Sequence, residues 1–184
     1  MKVSEAIEKR RSIRRFKEGD LPKDQLKLIL RAAQIAPSAS NRQPYQFVVV
    51  EDPDLKKQLG ELAALQRFIS KAAVIIVGIG DLMRKKWYKV DLAIAFQQMI
   101  LQATELGLGS LWIGAFDHDK IKELLKIPVR FEIVALLPIG ISGQDPPARP
   151  RKPLDELFLG IFMETLYNND QIYKSLIRRI WFRT

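Results

Sequence analysis

The sequence predicts an α+β fold. Three observations carry that reading: the strand-like runs are short and β-branched, the helical segments are of unequal length, and the two kinds do not alternate as regular βαβ units. At 184 residues the chain is long enough for one domain with a real core and short for two.

Residues 3–10 predict a short helix with Val3, Ala6 and Ile7 on its apolar side. "LPKDQLKLILRAAQIAPS" then sets Leu26, Ile29, Leu30 and Ala33 on one helical stripe, with Pro22 in the first turn and Pro37 as the stop. A polar loop, "PSASNRQPY", leads into a strand over Gln46–Glu51. Asp52 and Pro53 cap and start a helix carrying Leu55, Leu59 and Leu62, and "AAVIIVGIGD" predicts a buried strand. Val90–Leu106 is apolar on nearly every face, as suits a helix at the centre of a protein or a dimer, and Gly107 stops it.

"GSLWIGAF" predicts a further strand. Asp117 caps a helix whose core face is Ile121, Leu124 and Leu125, and "FEIVALLPIGI" predicts the last strand. Asp170–Trp181 predicts an amphipathic helix with Ile172, Tyr173, Leu176, Ile177 and Ile180 on its apolar face. The expected organisation is one domain over residues 1–160 followed by a helical arm over 161–184 that clasps a second copy.

Composition removes several classes of chemistry. There are no cysteines, which excludes disulfides, thiolate catalysis, Cys-ligated zinc and iron–sulfur clusters. His118 is the one histidine, so a multi-histidine metal site is excluded and a Ser-His-Asp triad could run only through it. The opening "MKVSEAIEKRRSIRRF" is charged where a secretory signal is apolar, and the runs Ala72–Gly80 and Phe131–Ile141 are too short to span a bilayer. A cytoplasmic protein without a membrane partner is expected.

The net charge of +9 points to an anionic partner. Lys2, Lys9, Arg10, Arg11, Arg14, Arg15 and Lys17 crowd the start against Glu5 and Glu8, and Arg149, Arg151 and Lys152 form a second cluster in a proline-rich loop. In "KRRSIRRF", Arg10, Arg11, Ser12 and Arg14 can surround a phosphate or stand as a solvated basic helix end. In "APSASNRQPY", Ser38, Ser40, Asn41 and Gln43 can offer neutral hydrogen bonds to a planar heterocycle or satisfy their own backbone in a turn. In "LGLGSLWIGAF", Gly114 and Ala115 leave room for a flat ligand or relieve packing in a sheet, and the glycines do not make a dinucleotide fingerprint. "ARPRKPLDEL" is a second phosphate grip or an ordinary basic loop.

The order of these stretches along one chain carries more than any one of them. "RRSIRRF", "APSASNRQPYQFVVV", "DLAIAFQQMILQATELGLGSLWIGAF", "LLPIGI" and "RPRKPLDEL" resemble, in order and approximate spacing, the FMN-dependent nitroreductase family over residues 3–158. The resemblance implies a three-layer α+β sandwich, with a mixed, mostly antiparallel sheet flanked by helices, in an interlocked homodimer that binds FMN between protomers. It implies a hydride taken from NADH or NADPH onto flavin N5, then a ping-pong reduction of nitroaromatics, quinones or related small-molecule acceptors.

By position, the resemblance assigns Arg10, Arg11 and Ser12 to the phosphate and Arg14 to the pyrimidine edge of the flavin. It assigns Ser38, Ser40, Asn41 and Gln43 to a loop lent by the partner, and Gln66 to an amide against the ring. Gly114 and Ala115 match the backbone facing N5 and O4, and Arg149 and Arg151, with Lys152 able to share the role, match the C-terminal phosphate grip. No catalytic side chain is implied beyond Arg14, which would stabilise reduced flavin. Met83, Trp87 and Tyr88, in the short stretch "DLMRKKWYKV", form a lid over the flavin or pack at the dimer seam, and His118 reads as a surface helix start or a proton donor.

Two rival readings remain at this level. One keeps FMN but makes the chain a specialised dehydrogenase or a flavin-cleaving enzyme of the same superfamily. The other is a basic nucleic-acid-binding protein, against which stands the scarcity of aromatic residues in the basic start. The expectation is that nucleic acid is not a partner.

Overall fold

The computed structural model describes residues 1–64, 66–84 and 86–158. The chain divides into two units, Met1–Pro147 and Ala148–Thr184. The predicted helix Asp170–Trp181 and the arm 161–184 lie outside the described residues.

In the first unit the helices are α1 (Val3–Lys9), α2 (Lys23–Gln34), α3 (Pro53–Leu62), α4 (Tyr88–Glu105) and α5 (His118–Leu124). The strands are β1 (Tyr45–Val50), β2 (Val74–Asp81), β3 (Gly109–Ser110) and β4 (Phe131–Gly140). They form one sheet in the order β1-β2-β4-β3, antiparallel at every named pairing. A parallel bridge from Ser12 to Ser110 extends it at the β3 edge. The second unit contributes a short helix, α6 (Leu154–Leu157).

The three layers follow from side-chain alternation. Along β2, Val74 and Ile76 face α2 and α4, meeting Ile29, Leu92, Phe96 and Met99. Ile75, Val77 and Ile79 face the other way, with Leu59 of α3 and Ile121 of α5. Both faces are apolar, so β2 reads as a continuous hydrophobic run rather than an alternating one. In β4 the phase slips: Gly78 pairs with Ala135 and Ile79 with Ile133, so Val134 is the extra residue of a bulge. Val134 and Ala135 consequently both pack on the α2–α4 side.

Capping behaves as the residue types dictate. Asp52 accepts the Leu55 N–H at 2.8 Å and Asp117 accepts the Lys120 N–H at 3.1 Å. Helix α4 lies close to the sheet because β2 carries glycine where the helix begins. A Cβ on Gly80 would stand 2.0 Å from Cδ2 of Tyr88.

One expectation changes, and one face is left open. The strand predicted over "GSLWIGAF" is only Gly109–Ser110, continued by one bridge between Ile113 and Leu136. Beyond Ser110 the chain keeps its register on β4, with the Leu111 N–H donating to Pro138 O at 3.3 Å and Ile113 exchanging both bonds with Leu136, but Pro138 has no N–H to return; the alternation leaves Trp112 and Gly114 exposed. In α1 only Ala6 is buried, while Val3 is 71% and Ile7 57% exposed. A helix this short turns one residue inward, so its apolar side is surface within a single chain. Among the described residues, no helix is long and apolar enough to cross a membrane.

Candidate functional site

The basic start is pinned to one edge of the sheet. Arg10 leaves α1 with a ψ of 128°, and the chain then runs beside β3 and the end of β4. The Ile13 N–H donates to Ser110 O at 2.9 Å, and the Lys17 N–H donates to Ile141 O at 2.9 Å. Ile13 and Phe16 are buried there with Ala72, while Arg14 and Arg15 point outward. The approach requires a glycine: a Cβ on Gly109 would lie 2.8 Å from Cγ1 of Ile13.

The cations on this edge differ in their commitments. One guanidinium nitrogen of Arg11 turns back onto the carbonyls of Glu8 and Arg10, closing the end of α1. Arg15 donates to Gly143 O at 2.6 Å. Arg10 and Arg14 have no acidic partner among the described residues. Ser12 is half-buried beside them.

Further along the same edge the backbone is bare. Gly114 and Ala115 are exposed, and a Cβ on Gly114 would meet only Nε1 of Trp112, at 3.6 Å. Ser110 pairs with Ile139 and Ile113 with Leu136, three residues apart on β4. At about 3.3 Å per residue, roughly 10 Å of edge separates the Ser12 bridge from the Ile113 bridge that precedes Gly114.

The loop at 38–43 stands elsewhere. It feeds β1, whose Tyr45 pairs with Gly80, whereas Ile139, the partner of Ser110, pairs with Val74. Gly80 and Val74 are six residues apart on β2, about 20 Å, with about 4.8 Å more for each strand crossed. Within one chain, Ser38, Ser40, Asn41 and Gln43 therefore occupy the corner of the sheet opposite Arg10 and Ser12.

That loop is strained and internally braced. Ser40, Asn41 and Gln43 have φ of 53°, 53° and 46°, in the left-handed region that side chains resist. Ser38 Oγ accepts the Gln43 N–H at 3.0 Å, and Gln43 Nε2 donates to Asn41 O and Oδ1 at 3.2 and 3.1 Å. Strain of this kind clusters at sites where a backbone must be held ready.

The remaining candidates are scattered. Gln66 is half-buried at the head of the 3₁₀ turn Arg67–Lys71, its carbonyl accepting the Ile69 N–H. Arg149, Arg151 and Lys152 belong to the second unit, where all are exposed and Lys152 Nζ stands 3.7 Å from Glu156 Oε2. His118 is the first residue of α5, exposed, its ring 4.3 Å from that of Phe116.

The proposed aromatic lid is reduced to Met83 and Trp87. Tyr88 is buried against Gly80, and its hydroxyl donates to Glu132 Oε2. Burial, then the hydrogen bond and charge of Glu132, push the Tyr88 hydroxyl above its ordinary range.

Sequence reasoning missed the support of the 38–43 loop. Asp91 of α4 is 3% exposed and accepts the Ala39 N–H at 3.1 Å. Among the described residues, its Oδ2 and the Tyr45 hydroxyl are buried without a hydrogen-bond partner. Burial, with the charge of Asp91 second, raises the Tyr45 hydroxyl. The available signal was one charged residue, an acid, in the helix stretch "VDLAIAFQQMI". Between this loop and the residues before α4 lies a cleft whose lining includes Trp87 and three cations, Arg42, Arg84 and Lys86, that the sequence did not single out.

Comparison with known proteins fits this fold. A nitroreductase family protein from Clostridium novyi NT is 36% identical with a TM-score of 0.72, over 85% of this chain and 91% of that one. An FMN-dependent nitroreductase from Clostridium difficile R20291 is 30% identical with a TM-score of 0.75, over 90% and 98% of the two chains. An NADH dehydrogenase of Thermus thermophilus is 30% identical over 82% of this chain and 92% of its own length. The sequence model of the nitroreductase family matches residues 7–74 and 62–141, from the last turn of α1 through β4. This chain belongs to the nitroreductase family.

Proposed function

We propose that this chain is an FMN-dependent oxidoreductase that takes a hydride from NADH or NADPH and reduces nitroaromatic, quinone or related acceptors in a ping-pong cycle. The observation that carries the reading is the edge strip running from Arg10 to Ala115. It sets free cations at one end and, about 10 Å along, exposed backbone at Gly114 that only the edge of the Trp112 ring approaches. A ligand with an anion at one end and a flat ring at the other fits such a strip.

FMN, when bound, supplies the two-electron redox chemistry, and the chain needs no nucleophile of its own. The residues bind and orient. Arg10, the free nitrogens of Arg11 and the Ser12 hydroxyl hold the phosphate. For Arg149, Arg151 and Lys152 the phosphate-binding role rests on the family resemblance alone. Arg14 places a fixed positive charge at the pyrimidine edge, where it stabilises negative charge. Gly114 and Ala115 admit the ring, and Gln66 offers it an amide.

Ser38, Ser40, Asn41 and Gln43 reach the ligand from a second copy, because their own corner of the sheet lies about 20 Å away along β2. A homodimer is proposed on the same ground. Val90 and Ile94 of α4, with Val3 and Ile7 of α1, remain exposed apolar surface for it to cover. The test is direct: the purified protein is expected to be yellow or to take up added FMN, and NADH or NADPH to bleach it without oxygen. A colourless protein that ignores added FMN overturns the reading.

A further inference from the structure

We propose that the cleft between residues 39–44 and 83–87 is a subsite for the anionic group of an aromatic electron donor or acceptor. The inference rests on the flavin reading for its place in the reaction, since the cleft shares Ala39, Arg42 and Pro44 with the loop assigned to the flavin. It adds a substrate class, anionic aromatics over neutral ones.

Charge is the first argument. Arg42, Arg84 and Lys86 all line the cleft. Among the described residues neither Arg42 nor Arg84 has a hydrogen-bonded or ion-paired side chain, and Lys86 Nζ lies over the Trp87 ring at 5.1 Å. The acids nearby are engaged elsewhere. Asp81 pairs with Arg130 at 3.8 Å and Glu132 with Lys89 at 2.8 Å. Asp91, the one carboxylate in the lining, is buried with Oδ1 on the Ala39 N–H. Three exposed cations thus face one carboxylate that is withdrawn into the floor.

Shape is the second. Trp87 is 44% and Met83 79% exposed at the cleft, apolar surface that a ring would cover. The cleft holds about 310 Å³, at the small end of the range of roughly 300–1,000 Å³ for ligand pockets. That is room for one ring with its acidic substituent, not for a whole dinucleotide. The anion is then either the 2′-phosphate of NADPH or a carboxylate on the acceptor, and both are met by the same guanidinium and ammonium groups.

Binding of 4-nitrobenzoate to the full-length protein, followed by tryptophan fluorescence with and without added FMN, tests the proposal. The expected result is quenching that is lost in Trp87→Phe, absent with neutral 4-nitrobenzamide, and weakened by at least about tenfold in Arg84→Gln/Lys86→Gln. Competition by adenosine 2′,5′-bisphosphate identifies the phosphate as the source, and its failure to compete identifies the carboxylate. Equal affinity for the charged and neutral probes, or no change in the double variant, overturns the proposal. Uptake of FMN separates the two claims. Nitrobenzoate binding as expected in a protein that refuses FMN leaves the anion subsite standing without the flavin. FMN uptake with no selective nitrobenzoate binding removes the subsite alone.

Discussion

The carboxylate of Asp91 accepts the backbone N–H of Ala39 at 3.1 Å and so ties the start of α4 to the loop that precedes β1. The residues are 52 apart in sequence. A buried carboxylate costs several kcal/mol of desolvation, and Asp91 recovers only part of it, since Oδ2 has no hydrogen-bond partner among the described residues. The remaining cost is set against a loop that three left-handed residues would otherwise let relax.

Removing that tie is expected to weaken FMN binding. Asp91→Ala loses a hydrogen bond to a charged acceptor, about 1.5–3 kcal/mol, and frees the loop, so the Kd for FMN rises roughly tenfold or more. Asp91→Asn retains an oxygen acceptor and is expected to lose less. Titration of flavin fluorescence measures both, and equal affinity for all three proteins would contradict the role assigned to Asp91.

Ser40 separates stability from binding. Its left-handed φ costs about 1–2 kcal/mol, and glycine there gives back part of that as extra freedom in the unfolded chain. Ser40→Gly is expected to stabilise the fold by about 0.5–1 kcal/mol, raising Tm by about 2–4 °C per kcal/mol, while weakening FMN through the lost hydroxyl. Thermal unfolding and flavin titration should move in opposite directions; a less stable variant that binds FMN normally would reverse both assignments.

Gly80 makes room for Tyr88. A methyl placed 2.0 Å from the Tyr88 ring must displace a side chain that is anchored on Glu132, and Gly80→Ala is expected to cost about 1–3 kcal/mol. In urea unfolding, much of that cost should disappear when the change is made in a Tyr88→Ala background, because the ring is what the methyl meets. Additive losses in the two variants would place the strain elsewhere.

The Tyr88–Glu132–Lys89 cluster makes stability depend on pH at both ends. Burial alone would raise the Glu132 carboxyl, but hydrogen bonds from Lys89 and Tyr88, with the charges of Lys89 and His118, hold it below its ordinary value of 4.5. A depressed carboxyl contributes stability that is present above 4.5 and lost as pH falls through the folded value. Below pH 4.5 the Tm of the native protein is therefore expected to fall more steeply than that of Glu132→Gln. At the alkaline end Tyr45 and Tyr88 are raised above 10.0, chiefly by burial, so the folded state keeps protons that the unfolded chain gives up. Stability is expected to decline above pH 10.0, and less so in Tyr88→Phe. Parallel Tm–pH curves for native and variant proteins would count against the cluster.

The α+β class, the buried stripe of α2, the all-apolar β2 and the caps at Asp52 and Asp117 are written in the residues themselves. Each is a local property, a spacing of three or four, a β-branched run, or an acid one turn before an N–H. The same holds for the types of residue in the candidate site, since Arg10, Ser12, Ser38, Asn41 and Gly114 sit in stretches whose order already suggested the family. Tertiary structure decided where these stretches stand. It cut the predicted strand to Gly109–Ser110 and one bridge, left Val3 and Ile7 on the surface, buried Tyr88 under Gly80, and put the 38–43 loop at the corner opposite Arg10. It also joined Asp91 to Ala39 and gathered Arg42, Arg84 and Trp87 around one cleft. Contacts between residues tens of positions apart leave no periodic trace in the chain, because they arise only when separate elements pack. Spacing tells a residue which side of its own helix or strand it occupies, and packing alone decides what it meets there.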